Sequence, residues 1–149
     1  MKDLIIKEAN HHDLLQVVEL TKEWEKEDIT YGFCADNYDD IAKYNCFVAI
    51  LDNSVIGFLL GHVLSSNNMS SVMENGTLYF EVEEFYVLPQ YRSKGIGSML
   101  FDYLETDLKA KNVSQIVLST ATKNHESILN FYVKRLRMNV WTIRLFKKV

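Results

Sequence analysis

The sequence predicts an α/β or α+β chain, a mixed sheet with helices on its faces. Three observations predict it. Apolar runs of strand length recur along the chain, two segments with helical apolar spacing lie between the later runs, and the middle runs follow one another with only short polar turns. The predicted order is β-α-(α)-β-β-β-α-β-α-β, an antiparallel meander followed by two helical crossovers. A chain of 149 residues, 48% of them apolar, is expected to form one domain spanning 1–149.

Each element has a local reason. Leu4 to Lys7 is a short apolar run, and Asn10 then offers an N-cap with Asp13 three residues on. Leu14, Val17, Val18, Thr21 and Trp24 repeat at helical spacing, and Tyr31 to Tyr38 reads as loop. Two apolar runs around Asp52-Asn53-Ser54 make a hairpin from Cys46 to Leu64, and Ser65 to Gly76 is its polar exit. Thr77 to Leu88 is a further long strand that stops at Pro89. Ile96, Leu100, Leu104 and Leu108 share one face of a helix from Ile96 to Lys109. Ser114 to Ala121 reads as a strand, Asn124 to Leu136 as a helix and Met138 to Phe146 as a final strand. On that last strand Trp141, Ile143 and Leu145 suit either core or a homodimer interface.

A formal charge of -4 argues against a broad interaction with nucleic acid. No apolar stretch approaches the ~20 residues that span a bilayer, so no membrane partner is expected. Cys34 and Cys46 fit no Cys-x-x-Cys pattern and read as free thiols, which makes the cytoplasm the expected compartment. His62 and His125 have no neighbours at ligand spacing, so no metal is expected.

The chemistry concentrates around "YRSKGIGSML", Tyr91 to Leu100. Gly95 and Gly97 let the backbone turn tightly, and the helix that follows offers free N–H groups and a positive dipole end, a combination suited to phosphate. Taken alone, two glycines equally suit a plain strand-to-helix turn. The preceding strand adds information. In "TLYFEVEEFYVLP" the apolar set is Leu78, Phe80 and Val82, then Phe85 and Val87, so the period-two phase slips at Glu83-Glu84. Such a slip implies a β-bulge that interrupts the ladder and frees backbone groups. A bulged strand for an amide-bearing arm, leading into a turn for phosphates, has the shape of a coenzyme A track.

These residues, "EEFYVLPQYRSKGIG" with "NHESILNFY" about thirty residues on, resemble the GCN5-related N-acetyltransferase (GNAT) family, and the element order agrees over almost the whole chain. Arg92-Ser93-Lys94-Gly95-Ile96-Gly97 matches the family's Gln/Arg-x-x-Gly-x-Gly/Ala signature after a strand ending Val-x-Pro. The motif is most similar to the diamine and polyamine acetyltransferase branch. The resemblance implies an acyl-CoA N-acyltransferase fold, with a mostly antiparallel sheet, a bulged fourth strand and helices on both faces. It implies acetyl-CoA as donor and a primary amine as acceptor. It places pyrophosphate on the backbone of Arg92, Ser93, Lys94, Gly95, Ile96, Gly97 and Ser98, and the pantetheine and acetyl group on Phe85, Tyr86 and Val87. Asn124, Ser127 and Phe131 follow along the cofactor, Asn124 doubling as an N-cap. One departure is Leu136-Arg137-Met138, where the family often has glycine in the middle.

Amine acetylation needs a base for the ammonium proton and an acid for the departing thiolate. Glu84, then Glu83, are the candidate bases, and the lysine-acetylating branch of the family would place that base at Glu81; a solvated strand face is the alternative for each. Tyr132 is the candidate acid, matching the family's Phe-Tyr, and its spacing from Ile128 and Leu136 also fits a core role. For the acceptor, Trp24, Glu27, Asp28 and Tyr31 combine carboxylates with aromatic faces at the end of the first helix, and Glu81 joins them from the bulged strand, which suits a small cationic amine. A solvated acidic helix end is the alternative. Acetylation of a protein or peptide amine, and a non-catalytic coenzyme A-binding sensor, are the rival functions.

Overall fold

A computed structural model describes residues 3–149. The chain forms β1 (Ile5–Glu8), α1 (His11–Glu27), α2 (Tyr38–Ile41), β2 (Asn45–Leu51), β3 (Ser54–Ser65) and β4 (Leu78–Val87). A 3₁₀ turn at Pro89–Tyr91 leads to α3 (Ile96–Ala110), β5 (Gln115–Leu118) and α4 (His125–Leu129), which continues as a π-helix over Asn130–Arg135. The cap of α1 is the expected one. Asn10 Oδ1 accepts from the Asp13 N–H at 2.9 Å, and Asp13 accepts in return from the Asn10 N–H at 2.9 Å.

The five strands lie in sequence order, antiparallel from β1 to β4 and parallel between β4 and β5. Asp52 and Asn53 both take positive φ (50° and 64°), as the tight β2–β3 hairpin requires. Alternation sorts the apolar side chains into two cores. Phe47, Ile56, Leu59, Phe80 and Val82 pack against α3, whereas Val48, Val55, Phe58, Leu60 and Tyr86 pack against α1 and α2. The sheet thus has helices on both faces.

Two expectations at the C-terminal end are corrected. The helix expected from Asn124 to Leu136 is mostly π-helical, ending at Arg137 with φ 58°. Arg137 takes the left-handed conformation at the position where the family often has glycine, and pays for it in backbone strain. The strand expected from Met138 to Phe146 does not form: residues 138–149 hold neither strand nor helix, and most of their apolar side chains face solvent. A period-two pattern sets which side chains share a face, but a strand also needs a neighbour for its N–H and C=O groups.

Candidate active site

The site begins at the bulge. On β3, Leu60 faces Glu84 and Gly61 faces Val82, so Glu83 is the extra residue. Its insertion keeps Phe85 and Val87 on the α3 face with Phe80 and Val82, and brings Glu84 onto the face shared with α1 and α2. Pairing to β5 covers Tyr79 to Val82 and ends there. Beyond the bulge β4 is held by β3 alone, and the backbone of Phe85, Tyr86 and Val87 on the β5 side is left for another partner.

At the other end of this opening lies the glycine turn. Ser93 and Gly95 have φ of 59° and 84°. The first bond into α3 runs from the Met99 N–H to the Gly95 carbonyl at 3.0 Å, so the N–H groups of Ile96, Gly97 and Ser98 have no helical acceptor. A Cβ on Gly97 would come within 3.1 Å of Phe131 and 3.2 Å of Phe85, so any side chain there would push on these rings. Together these are the features a pyrophosphate needs: a chain of free donors, a positive helix end and no side chain in the way.

Strand opening and turn share a cleft of about 550 Å³, within the roughly 300–1,000 Å³ usual for such sites. It is bordered by Phe85 to Val87, by the turn, and by Asn124, Ser127, Phe131 and Tyr132 from the last helix. A second cavity of about 190 Å³ adjoins it and carries Glu83 and Glu84. Trp24, Thr30, Phe85 and Tyr132 line both, so Tyr132 stands where the two spaces meet. Residues 29–31 close the mouth by pairing with 121–123: Tyr31 N–H donates to the Ala121 carbonyl (2.9 Å) and Lys123 N–H to that of Ile29 (2.8 Å).

The electrostatics of the smaller cavity are unusual. Glu84 and Asp36 meet carboxyl to carboxyl, and one buried oxygen of each, Oε2 of Glu84 and Oδ2 of Asp36, has no hydrogen-bond partner outside the pair among the described residues. Burial, followed by the neighbouring Asp36 carboxyl and the charge of Glu83, pushes the Glu84 carboxyl up to about 9. Asp36 is fixed in place by its N–H, which donates to Oγ1 of the fully buried Thr21 at 3.0 Å. Glu83 pairs with His62 at 3.0 Å. Burial and Glu83 raise the Glu81 carboxyl above its ordinary value, with His62 opposing. Burial likewise raises the Tyr132 phenol, so it stays protonated at neutral pH, and no protein group among the described residues engages its hydroxyl.

A sequence model of the acetyltransferase (GNAT) family matches residues 12–136, most of the chain. The chain belongs to the GNAT acetyltransferase family. It is an acetyl-CoA-dependent N-acetyltransferase, and the cleft and donor-rich turn fit coenzyme A. A curated relative, the N-alpha-acetyltransferase of Saccharolobus solfataricus, is 25% identical over 134 residues, covering 85% of this chain and 76% of the relative. Among solved structures, the ribosomal-protein-alanine N-acetyltransferase of Brucella melitensis biovar Abortus 2308 superposes with TM-score 0.72 at 16% identity, over 99% of this chain and 100% of that one. The aminoglycoside acetyltransferase AAC(6')-Iy, in complex with a bisubstrate analog of CoA and acetylneamine, superposes with TM-score 0.73 at 17% identity, over 99% and 98%. At such identities the solved structures establish the fold.

Within this GNAT fold most of the sequence-derived residues converge. All of those expected along the cofactor border the large cleft except Lys94, whose Nζ turns back to the Gln90 carbonyl at 2.8 Å. Arg92 borders the cleft, but its guanidinium is committed: it grips Glu27 through two bonds of 2.8 and 2.9 Å, and its Nε donates to the Val87 carbonyl at 2.8 Å. Glu27 also accepts from the Tyr86 hydroxyl, so this carboxylate is engaged in tying α1 to β4. Asp28 caps α1 in a left-handed conformation and pairs with Lys123 at 2.8 Å. Trp24 is sandwiched between Phe33 (3.9 Å) and Tyr86 (5.2 Å) and forms the wall between cleft and cavity. Tyr31 is exposed at the rim, and Glu81 lies further along the carboxylate face. Two residues were not anticipated in these places. Asp36 comes from a loop whose only signal was its acidity, and Arg135, which donates to Ser98 Oγ at 2.7 Å, supplies the cleft's cation from the last helical turn.

Proposed function

We propose that this GNAT enzyme acetylates a small cationic primary amine of the diamine or polyamine kind, by direct attack in a ternary complex, within a single domain spanning 1–149. The observation that carries the reading is the junction at Tyr132 between a donor-lined cleft and a cavity lined by Glu84, whose carboxyl is backed by that of Asp36. Acetyl-CoA supplies the acetyl thioester when bound. The N–H groups from Ser93 to Ser98 hold its pyrophosphate, with Arg135 as the added cation, and the freed β4 backbone from Phe85 to Val87 aligns the pantetheine arm between Asn124, Ser127 and Phe131.

Glu84 acts as general base, with Glu83 next in line. A carboxylate whose proton affinity is raised by burial is a better match for an ammonium proton than an ordinary one. An arriving cation offsets the repulsion between the two carboxyls and so favours the ionised pair. Trp24, stacked on its neighbours, offers an aromatic face beside that charge, and Glu81 extends the acidic surface for a second ammonium group. The free Tyr132 hydroxyl protonates the departing thiolate. Free thiols at Cys34 and Cys46 suit the cytoplasm.

A second reading has support of its own, because the curated relative is named for acetylation of α-amino groups. Turnover of acetyl-CoA with diamines, triamines and short peptides bearing a free N-terminus separates the two. The small-amine reading expects kcat/KM for the diamines and triamines to exceed that for any peptide by at least ~10-fold, and the opposite order refutes it.

A further inference from the structure

Glu27 was expected at the acceptor, yet it borders neither the cleft nor the smaller cavity. Its carboxylate is instead where two side chains of the cleft wall meet. Arg92 donates to it through both arms of the guanidinium, at 2.8 and 2.9 Å, and the Tyr86 hydroxyl donates to the same carboxylate. The Glu27 side chain is only 21% exposed, so water replaces these donors poorly if the carboxylate is lost. Burial, followed by the bond to Glu27, raises the Tyr86 phenol above its ordinary value, which keeps its hydroxyl a donor.

Each partner of Glu27 leads on to a different substrate. Arg92 opens the glycine turn, and its Nε donates to the Val87 carbonyl on β4 at 2.8 Å, whereas Lys94 reaches no further than the Gln90 carbonyl. Ser93, with φ 59°, follows Arg92 at once. Holding the Arg92 side chain therefore holds the start of the donor run. Tyr86 leads the other way. Its buried ring stacks on Trp24 at 5.2 Å and 13°, Trp24 stacks on Phe33 at 3.9 Å, and Trp24 and Phe33 line the smaller cavity. The Arg92 guanidinium also lies over the Tyr86 ring, 5.2 Å from its centroid, so one connected column runs from the turn to the cavity.

We infer that Glu27 is a positioning residue for both substrates: through Arg92 it fixes the turn that receives the pyrophosphate, and through Tyr86 it fixes Trp24, the wall of the acceptor cavity. The acceptor half of this inference rests on the proposed reading of the smaller cavity as the acceptor site. Charge alone predicts the opposite effect at the cofactor, since removing a carboxylate and releasing a guanidinium beside a pyrophosphate would tighten binding. Alignment outweighs it, because several backbone donors must converge on one group, while a mobile charge at the surface is screened by solvent and salt.

Calorimetry with CoA reads the turn, and acrylamide quenching reads the Trp24 wall in chains carrying Trp141→Phe, where Trp24 is the sole indole. Arg92→Lys, which loses the fork, should raise the Kd for CoA at least ~5-fold and leave the quenching constant within ~1.3-fold. Tyr86→Phe, which keeps the ring and loses one bond, should raise the quenching constant ~1.5-fold or more and leave the Kd within ~2-fold. Glu27→Gln should do both, and adding either other substitution to it should change the matching readout by less than ~2-fold, because the path is already broken. With acetyl-CoA saturating, Glu27→Gln should raise KM for the preferred amine by a larger factor than it lowers kcat. Spermidine and a peptide with a free N-terminus are compared on the parent chain first, so failure of the small-amine reading shows there and leaves this test intact. Tighter CoA binding by Glu27→Gln, additive effects in the double variants, or a lower melting temperature with both readouts unchanged would each overturn the inference.

Discussion

The two halves of β4 differ in one respect only, and that difference creates the site. From Tyr79 to Val82 the strand is paired on both sides, to β3 and to β5, and its apolar side chains belong to the core. From Glu84 to Val87 it is paired to β3 alone. Between them stands Glu83, one extra residue. The upstream half spends its backbone groups on the sheet; the downstream half keeps one edge free and contributes a partly buried carboxyl, Glu84, to the smaller cavity. The lesson is that a single inserted residue, by ending one ladder while preserving the other, turns part of a core strand into binding surface.

Removing that difference should have the largest effect. Deletion of Glu83 leaves both halves in their present register with β3 and their apolar faces unchanged, so β4 can rejoin β5. The variant should fold, with its circular dichroism preserved, but lose acetyl-CoA binding by calorimetry and more than ~1,000-fold in kcat/KM, since the free strand edge that aligns the cofactor is closed. Survival of activity would break the comparison.

Next come the groups at the junction. Glu84→Gln should lower kcat by ~100-fold or more and Tyr132→Phe by a comparable factor, each with acetyl-CoA affinity within ~3-fold of the parent. Glu84 also links stability to pH. Its carboxyl titrates at about 9 when folded against 4.5 for the free group, so between these values the native chain holds a proton that the unfolded chain has lost. Stability should therefore fall as pH rises through this window, and urea titrations of Glu84→Gln should lack that component.

A smaller effect is expected at the turn, where backbone donors and not lysine do the holding. Gly97→Val should weaken acetyl-CoA binding at least ~10-fold, because the new side chain meets Phe131 and Phe85, whereas Lys94→Ala should change it less than ~3-fold. Smallest is Arg137→Gly, which relieves a left-handed residue at the helix end and should raise stability by about 1 kcal/mol in chemical denaturation, with turnover unchanged.

What the sequence disclosed follows the range of the interactions involved. The slip at Glu83-Glu84 was legible because alternation is local, and with it came the opening of the sheet and the side of the strand on which Phe85 lies. The glycine turn was legible for the same reason. Glu27 was not, because its partner Arg92 is 65 residues away and nothing near Glu27 marks it as a strut. The Asp36–Glu84 pair depends in the same way on a loop folding across the sheet, held by Thr21. Met138 to Phe146 shows the converse. Its pattern is that of a strand, and the described chain provides no neighbour for it.

The most direct test of the account is the pH dependence of kcat/KM for the parent and Asp36→Asn, measured with the same amine so that the amine's own titration cancels. If Glu84 is the base and Asp36 holds its proton affinity up, the rising limb of the profile should move to lower pH in Asp36→Asn. Superimposable profiles would contradict the account, because the limb would then belong to the amine and not to a buried carboxyl pair.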